Sequence, residues 1–182
     1  EFQMEIFFTS AVLVAIAEIG DKTMLLAILL ATRFKQPLPI IAGIFVATIA
    51  NHALAAWAGS ALAGFFASDA FRYAIAFGFI LMAGWTLIPD KVDDDMKVAS
   101  QRGAFVATTI AFFLVEMGDK TQVATIALGA QYHSVVAVAA GTTLGMMLAN
   151  VPAVYLGENL VEKVSLKVVH IIAASMFLFL GL

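Results

Sequence analysis

One six-residue pattern occurs twice in the chain, each time inside a long apolar stretch. Glu-Ile-Gly-Asp-Lys-Thr spans residues 18–23, and Glu-Met-Gly-Asp-Lys-Thr spans residues 116–121. A charged side chain near the centre of a bilayer costs at least roughly 2.5 kcal/mol even on the most lenient insertion scale. Such residues are therefore functional by default, and carboxylates beside ammonium groups at this depth indicate an ion pathway through a membrane.

Each copy of the pattern supplies two carboxylates and one ammonium group at short range. Within a continuous helix, residues three and four apart lie on one face, so Glu18 would share a face with Asp21 and Lys22. Together with Glu116 and Asp119, the carboxylates offer oxygen ligands that suit one hard divalent cation. A purely structural role is disfavoured, because two lysines leave two of the four negative charges uncompensated.

Other polar residues are expected to support these four acids. Glycine between the acids lets another backbone approach closely, or lets the helix loosen so that carbonyl groups can join the site. Lysine would tune the charge of the acids, and threonine could supply a hydroxyl group. For the histidine at position 52, a buried imidazole that bonds a carbonyl group is an equally open interpretation. The supporting residues are Gly20, Lys22, Thr23, Gly118, Lys120 and Thr121 within the motifs, and Asn51, His52, Gln122 and Asn150 outside them.

Composition places the chain among membrane proteins. Hydrophobic residues make up 62% and charged residues 13% of its 182 residues, and the mean hydropathy is +0.97. The absence of cysteine excludes disulfide frameworks and thiolate metal sites. No basic run indicates nucleic acid as a partner, and the net charge of −3 identifies none. We therefore expect a lipid bilayer as the surroundings and no cofactor.

Six segments are apolar enough to cross a bilayer, which takes roughly 20 residues. They fall into two halves, residues 4–88 and 103–182, joined by an acidic linker at 89–102. The halves align without a gap at a spacing of 98 residues, which pairs Glu18 with Glu116. Each half holds three spans, an odd number, so the second half must enter the membrane from the opposite side. The prediction is an all-α membrane protein of six transmembrane helices, built as two inverted-topology three-helix repeats.

Basic residues predict the orientation of these spans. The loops after the first, third and fifth spans hold seven lysines and arginines, whereas the loops after the second and fourth hold one. Because cytoplasmic loops carry the excess of Lys and Arg, the 89–102 linker should be cytoplasmic and both termini should lie outside. The seven residues are Arg33, Lys35, Lys91, Lys97, Arg102, Lys163 and Lys167, and the single one is Arg72.

The doubled motif resembles the signature E-x-G-D-[KR]-[ST] of the Golgi-type calcium/manganese cation antiporters, also called uncharacterised protein family sixteen. Residues 18–23 and 116–121 match that signature position by position, and the resemblance covers essentially the whole chain. It implies exchange of Mn²⁺ or Ca²⁺ for protons, with the four motif acids binding the ion. The short linker is similar to that of a bacterial manganese exporter rather than a eukaryotic member. This implies the bacterial inner membrane, with periplasmic termini and a cytoplasmic linker.

Two other classes of protein also place acids inside a membrane. A passive divalent cation channel would use rings of acids at its pore mouths, usually in a symmetric oligomer. An intramembrane aspartyl protease needs one Asp from each of two helices sharing a proton, and four acids with two lysines would not titrate in that way. The sequence therefore predicts a transporter rather than an enzyme. It leaves a homo-oligomer open and does not decide between Mn²⁺ and Ca²⁺.

Overall fold

The computed structural model describes residues 2–65, 68–88, 103–157 and 165–182. Eight α-helices occupy these ranges, and no β-strand is found within them. The predicted acidic linker at 89–102 lies outside the described residues. The helices of the first half are α1 (Phe2–Glu18), α2 (Lys22–Phe34), α3 (Pro37–Phe65) and α4 (Asp69–Thr86), and those of the second are α5 (Ala104–Glu116), α6 (Lys120–Tyr132), α7 (Val135–Leu156) and α8 (Leu166–Gly181).

Two of the described helices are long and apolar enough to cross a bilayer on their own. They are Pro37–Gly64 within α3 and Val135–Leu156, which is α7, while α5 and α8 are apolar but shorter. Large apolar side chains are exposed along the outer faces of α3 and α7, including Leu54, Trp57 and Leu148. Exposed apolar surface marks a contact with a membrane or another protein. The apolar spans and this surface together indicate an α-helical membrane protein.

The two halves interlock, and their contacts come in exchanged pairs. Helix α1 packs on α7 of the other half, and α5 packs on α3 in the same way. Helix α2 contacts α7, and α6 correspondingly contacts α3, while α3 meets α7 and α4 meets α8. Exchanging the halves converts the contacts of α1 and α2 with α7 into those of α5 and α6 with α3, and it leaves the α3–α7 and α4–α8 contacts unchanged. The contacts of α1 with α8 and of α4 with α6 have no exchanged counterpart of similar extent among the described residues. The first helices of each half are therefore held in place by the other half.

Glycine at equivalent positions allows the closest of these crossings. A Cβ atom at Gly43 of α3 would lie 2.8 Å from the Cβ atom of Thr108 on α5. A Cβ atom at Gly141 of α7 would meet the carbonyl oxygen of Phe7 on α1. Neither space can hold a side chain, so the helices approach to backbone contact, which is the packing that favours helix association in lipid.

Both copies of the motif interrupt a helix. The breaks fall between Glu18 and Lys22 and between Glu116 and Lys120, so α1 and α2 are separate helices, as are α5 and α6. The sequence analysis placed the two acids of each motif on one face of a continuous helix, and the structure corrects that arrangement. Loosening of the helix at glycine, the other expectation, is what the structure contains.

Glycine followed by aspartate accounts for each break. Gly20 has a φ of 81° and Gly118 a φ of 79°, in the left-handed region that commonly ends helices and that suits glycine. The following residue is an extended N-cap: Asp21 has φ −78° and ψ 167°, and Asp119 has φ −78° and ψ 164°. Gly-Asp therefore stops one helix and starts the next.

Replacement of Gly118 by alanine should destabilise the protein. A left-handed φ costs an L-residue roughly 1–2 kcal/mol, and open space around Gly118 means that this backbone cost acts alone. Gly20→Ala should cost more, because the side chain of Leu166 occupies the space that a Cβ atom would need. The midpoint of thermal unfolding in detergent measures the stability of both variants. Gly78→Ala, in a helix with open space, is the control and should be neutral or stabilising; equal midpoints for all three would contradict the explanation.

Candidate functional site

The breaks bring four helix ends to the motifs. In each break one turn bond remains, from the Asp21 amide to the Glu18 carbonyl oxygen and from the Asp119 amide to the Glu116 carbonyl oxygen, both 3.0 Å long. The amino-terminal ends of α2 and α6 carry partial positive charge that stabilises carboxylates. The carbonyl-bearing ends of α1 and α5 carry partial negative charge that attracts cations.

Three of the four predicted acids converge at these helix ends. One carboxylate oxygen from each of Glu18, Asp21 and Asp119 lies within 4.8 Å of the other two. All three residues are buried, with exposed fractions of 0%, 3% and 1%. Ligand oxygens that each lie roughly 2.0–2.6 Å from one divalent cation are separated by such distances. The group, called the carboxylate cluster below, draws on both halves of the chain and can hold one hard cation.

The fourth predicted acid, Glu116, is not part of the carboxylate cluster. It is fully buried, and its Oε2 atom lies 3.7 Å from Nε2 of His52, a fully buried residue of α3. Among the residues that the structure describes, neither Glu116 oxygen and neither His52 ring nitrogen has a hydrogen-bond partner. Buried polar groups normally have hydrogen-bond partners, so the two side chains are an exception in this part of the structure. The alternative interpretation, a His52 bond to a carbonyl group, finds no such bond in that part of the chain.

The two motif lysines make different contacts. Lys22 Nζ lies 2.8 Å from Asp119 Oδ1, so the lysine of the first half pairs with an acid of the second. Lys120 Nζ instead donates a 3.0 Å hydrogen bond to the backbone carbonyl oxygen of Ile88, just beyond α4. The Lys22 side chain is 27% exposed, whereas Lys120 is buried. A cation bound in the carboxylate cluster would therefore compete with the Lys22 ammonium group for Asp119.

The motif threonines bond to motif acids. The Thr23 hydroxyl donates to Glu18 Oε2, and the Thr121 hydroxyl donates to Asp119 Oδ2 at 3.3 Å. Each bond fixes the orientation of one carboxylate in the cluster. The sequence suggested that these threonines supply hydroxyl groups to the site, and in the structure the hydroxyl groups donate hydrogen bonds to the motif carboxylates.

Different side chains cap the glycine amides of the two breaks. The Gly118 N–H donates to Oε1 of Gln122 at 2.6 Å, and the Gln122 amide group donates to Oδ1 of Asn51 on α3. The Gly20 N–H donates to Sδ of Met24 at 3.1 Å. Gln122 and Asn51 were expected near the site and do lie at the second break. Met24 was missed, although it follows Gly20 at the same interval at which Gln122 follows Gly118.

No hydrogen bond joins the Asn150 side chain to either motif within the described residues. Its Nδ2 atom donates to the carbonyl oxygen of Met146 in its own helix at 3.0 Å. Its Oδ1 atom is buried and has no hydrogen-bond partner within the described ranges. The residue at the equivalent position of the first half, His52, instead faces Glu116. Equivalent positions therefore have different surroundings in the two halves.

Comparison with known proteins identifies the family of this chain. The family model described as "Divalent cation/proton antiporter GDT1" matches residues 6–94 and 104–182. A Vibrio cholerae protein named "Putative manganese exporter" is 50% identical over 183 residues, covering 100% of this chain and 91% of that protein. A GDT1-like protein of Synechocystis is 27% identical, covering 94% of this chain and 92% of that protein. No solved structure matches the chain. The resemblance seen in the motifs is confirmed, and the chain belongs to the GDT1 family of divalent cation/proton antiporters.

Proposed function

We propose that the chain is a secondary transporter that exchanges Mn²⁺ for protons, with Ca²⁺ as the second candidate substrate. The observation that carries the proposal is the buried carboxylate cluster to which both halves contribute. Its oxygen atoms suit a hard divalent cation, and the family supplies transport as the context. Mn²⁺ is the first candidate because the Vibrio cholerae relative is named for manganese export.

The proposal includes six membrane crossings. None of α1, α2, α5 and α6 reaches the roughly 20 residues that a crossing requires, and the longest of them, α1, has 17. Only three residues separate the helices of each pair, so each pair would form one interrupted crossing. Helices α3 and α7 would cross alone, and α4 and α8, with 18 and 16 residues, would supply two short crossings. Interrupted helices whose ends meet at a binding site are typical of secondary transporters. The exchanged contacts between the halves support inverted repeats with three crossings each.

Access to the cluster would alternate by movement of one repeat against the other. Glu18 and Asp21 belong to the first half and Asp119 to the second, so this movement would change the geometry of the binding site itself. The Lys22 ammonium group would hold the Asp119 carboxylate when the cation is absent. Binding of the cation would release the Lys22 ammonium group from Asp119.

Charge at the site supports coupling to protons. Four motif carboxylates and two motif lysines leave a charge that one divalent cation neutralises. When the cation leaves, bare negative charge in a low-dielectric interior would be costly, so about two protons should enter in its place. Glu116 lies outside the carboxylate cluster and beside an imidazole, which makes it the candidate proton carrier.

Removal of single acids tests the assignment of the cation site. Glu18→Gln should weaken Mn²⁺ binding by at least about tenfold, since loss of a ligand should cost no less than loss of a residue that orients one. Glu116→Gln should retain most of the binding affinity and lose transport. Calorimetric titration of purified protein with Mn²⁺ measures the affinities, and Glu5→Gln, on the exposed part of α1, is the matched control. Normal binding by Glu18→Gln would reject the site, and equal losses in both variants would place Glu116 among the ligands.

The orientation has its own test in cells. A reporter enzyme fused within the 89–102 linker should be active on the cytoplasmic side of the bacterial inner membrane, because the basic residues are concentrated in the odd-numbered loops. Reporters fused at 133–134 and at the C-terminus should be active on the periplasmic side. An external linker would reverse the assignment.

A further inference from the structure

Helices α3 and α6 approach each other so closely that glycine is required at two points. The space for a Cβ atom at Gly59 of α3 is taken by the backbone carbonyl of Ile126 on α6. The space at Gly129 of α6 is taken by the backbone carbonyl of Ala56 on α3. Backbone atoms cannot move aside as flexible side chains can. No water or ion can pass between the helices at these points while they are in contact.

The exchanged pair of helices, α7 and α2, does not make the same closure. Gly157 is equivalent to Gly59, and no atom of the described residues lies within 4 Å of the place that its Cβ atom would take. The position equivalent to Gly129 is Ala31, which carries the methyl group that α6 lacks. In this structure the two halves are therefore closed at α3 and α6 and less closely packed at α7 and α2.

A side-chain hydrogen bond crosses the closed interface beside the carboxylate cluster. The side-chain amide of Gln122, in the first turns of α6, donates to Asn51 of α3. The side-chain oxygen of Gln122 accepts from the Gly118 amide. The equivalent positions of the exchanged pair hold Met24 on α2 and Ala149 on α7, which cannot form this bond. The amino-acid sequence thus allows this bond between α3 and α6 and not between α7 and α2.

We propose that the interface of α3 and α6 is a gate of the transport path and that the Gln122–Asn51 bond is a latch that keeps it closed. This inference rests on the proposed function, because a gate is needed only if the cluster is reached from two sides in turn. Opening the gate would move the start of α6, and with it Asp119, away from α3. The latch biases the protein toward the closed gate, because only that state contains the bond.

Variants that remove the latch should open the gate more often. Asn51→Ala and Gln122→Met each introduce the residue found at the equivalent position of the other half. Each should raise the open population about three- to twentyfold, which is the range measured for side-chain bonds between membrane helices. The double variant should add little, because both substitutions remove the same bond.

The chain contains no cysteine, so one introduced thiol can report on the gate. Ala56 is fully buried at the contact with Gly129, and the thiol of Ala56→Cys should react with a water-soluble maleimide only when the gate opens. Gln36→Cys, at an exposed position between α2 and α3, gives the rate for a thiol that water reaches. Ser175→Ala is the control for the latch variants, because within the described residues this exposed hydroxyl donates to the Ile171 carbonyl oxygen of its own helix. The labelling is done on purified protein without Mn²⁺.

Faster labelling of Ala56→Cys in both latch variants, and not with Ser175→Ala, is the expected result. Unchanged labelling would overturn the latch. Labelling of Ala56→Cys, without a latch substitution, at the Gln36→Cys rate would overturn the closed gate. If the thiol at position 56 disturbs the packing, hydrogen exchange of residues 51–63 and 120–132 in the cysteine-free protein makes the same comparison. Labelling requires no cation, so it tests the latch separately from transport. If the latch variants label faster but the protein does not transport Mn²⁺, the proposed function is rejected and the latch is retained.

Discussion

The two helix breaks are the constraint on which the rest of the structure depends, because a break among apolar helices exposes backbone groups that lipid cannot satisfy. Asp21 and Asp119 begin the following helices, and side chains four residues beyond each glycine accept its amide hydrogen. One helix of the other half contacts both helices that flank each break: α7 contacts α1 and α2, and α3 contacts α5 and α6. Packing between the halves therefore helps to bury both breaks.

The same constraint creates the site. A break ends one helix and starts another at the same place, so partial charges of both signs meet where the motif acids are buried. Grouping Glu18, Asp21 and Asp119 in an apolar interior is unfavourable unless positive charge joins them. The Lys22 ammonium group provides part of that charge by pairing with Asp119 across the two halves. A divalent cation would supply the remainder, which makes occupancy of the cluster sensitive to how the halves are positioned.

Much of the site could be predicted from the sequence, because the two motifs are nearly identical and place acids where they are costly. The sequence left a loosened helix at the motif glycines as one of two expectations, because an apolar run continues across both motifs. Glycine before a capping aspartate is nevertheless a known signal for a helix end and a new helix start. The differences between the halves could not be predicted from the motifs. Lys22 and Lys120 occupy the same motif position, and only the tertiary packing decides that one reaches Asp119 and the other the Ile88 carbonyl oxygen. For the same reason Glu116 pairs with His52 rather than joining the other three acids.

In the proposed function, a divalent cation and protons exchange through a cluster shared by the two halves. The most direct measurement is Mn²⁺ uptake into vesicles that contain the purified protein and an imposed pH gradient, with the internal pH recorded at the same time. With an acidic interior, the account predicts saturable Mn²⁺ uptake that makes the interior more alkaline and that stops when the gradient is collapsed. Uptake that neither saturates nor responds to the gradient would contradict exchange and indicate a passive channel.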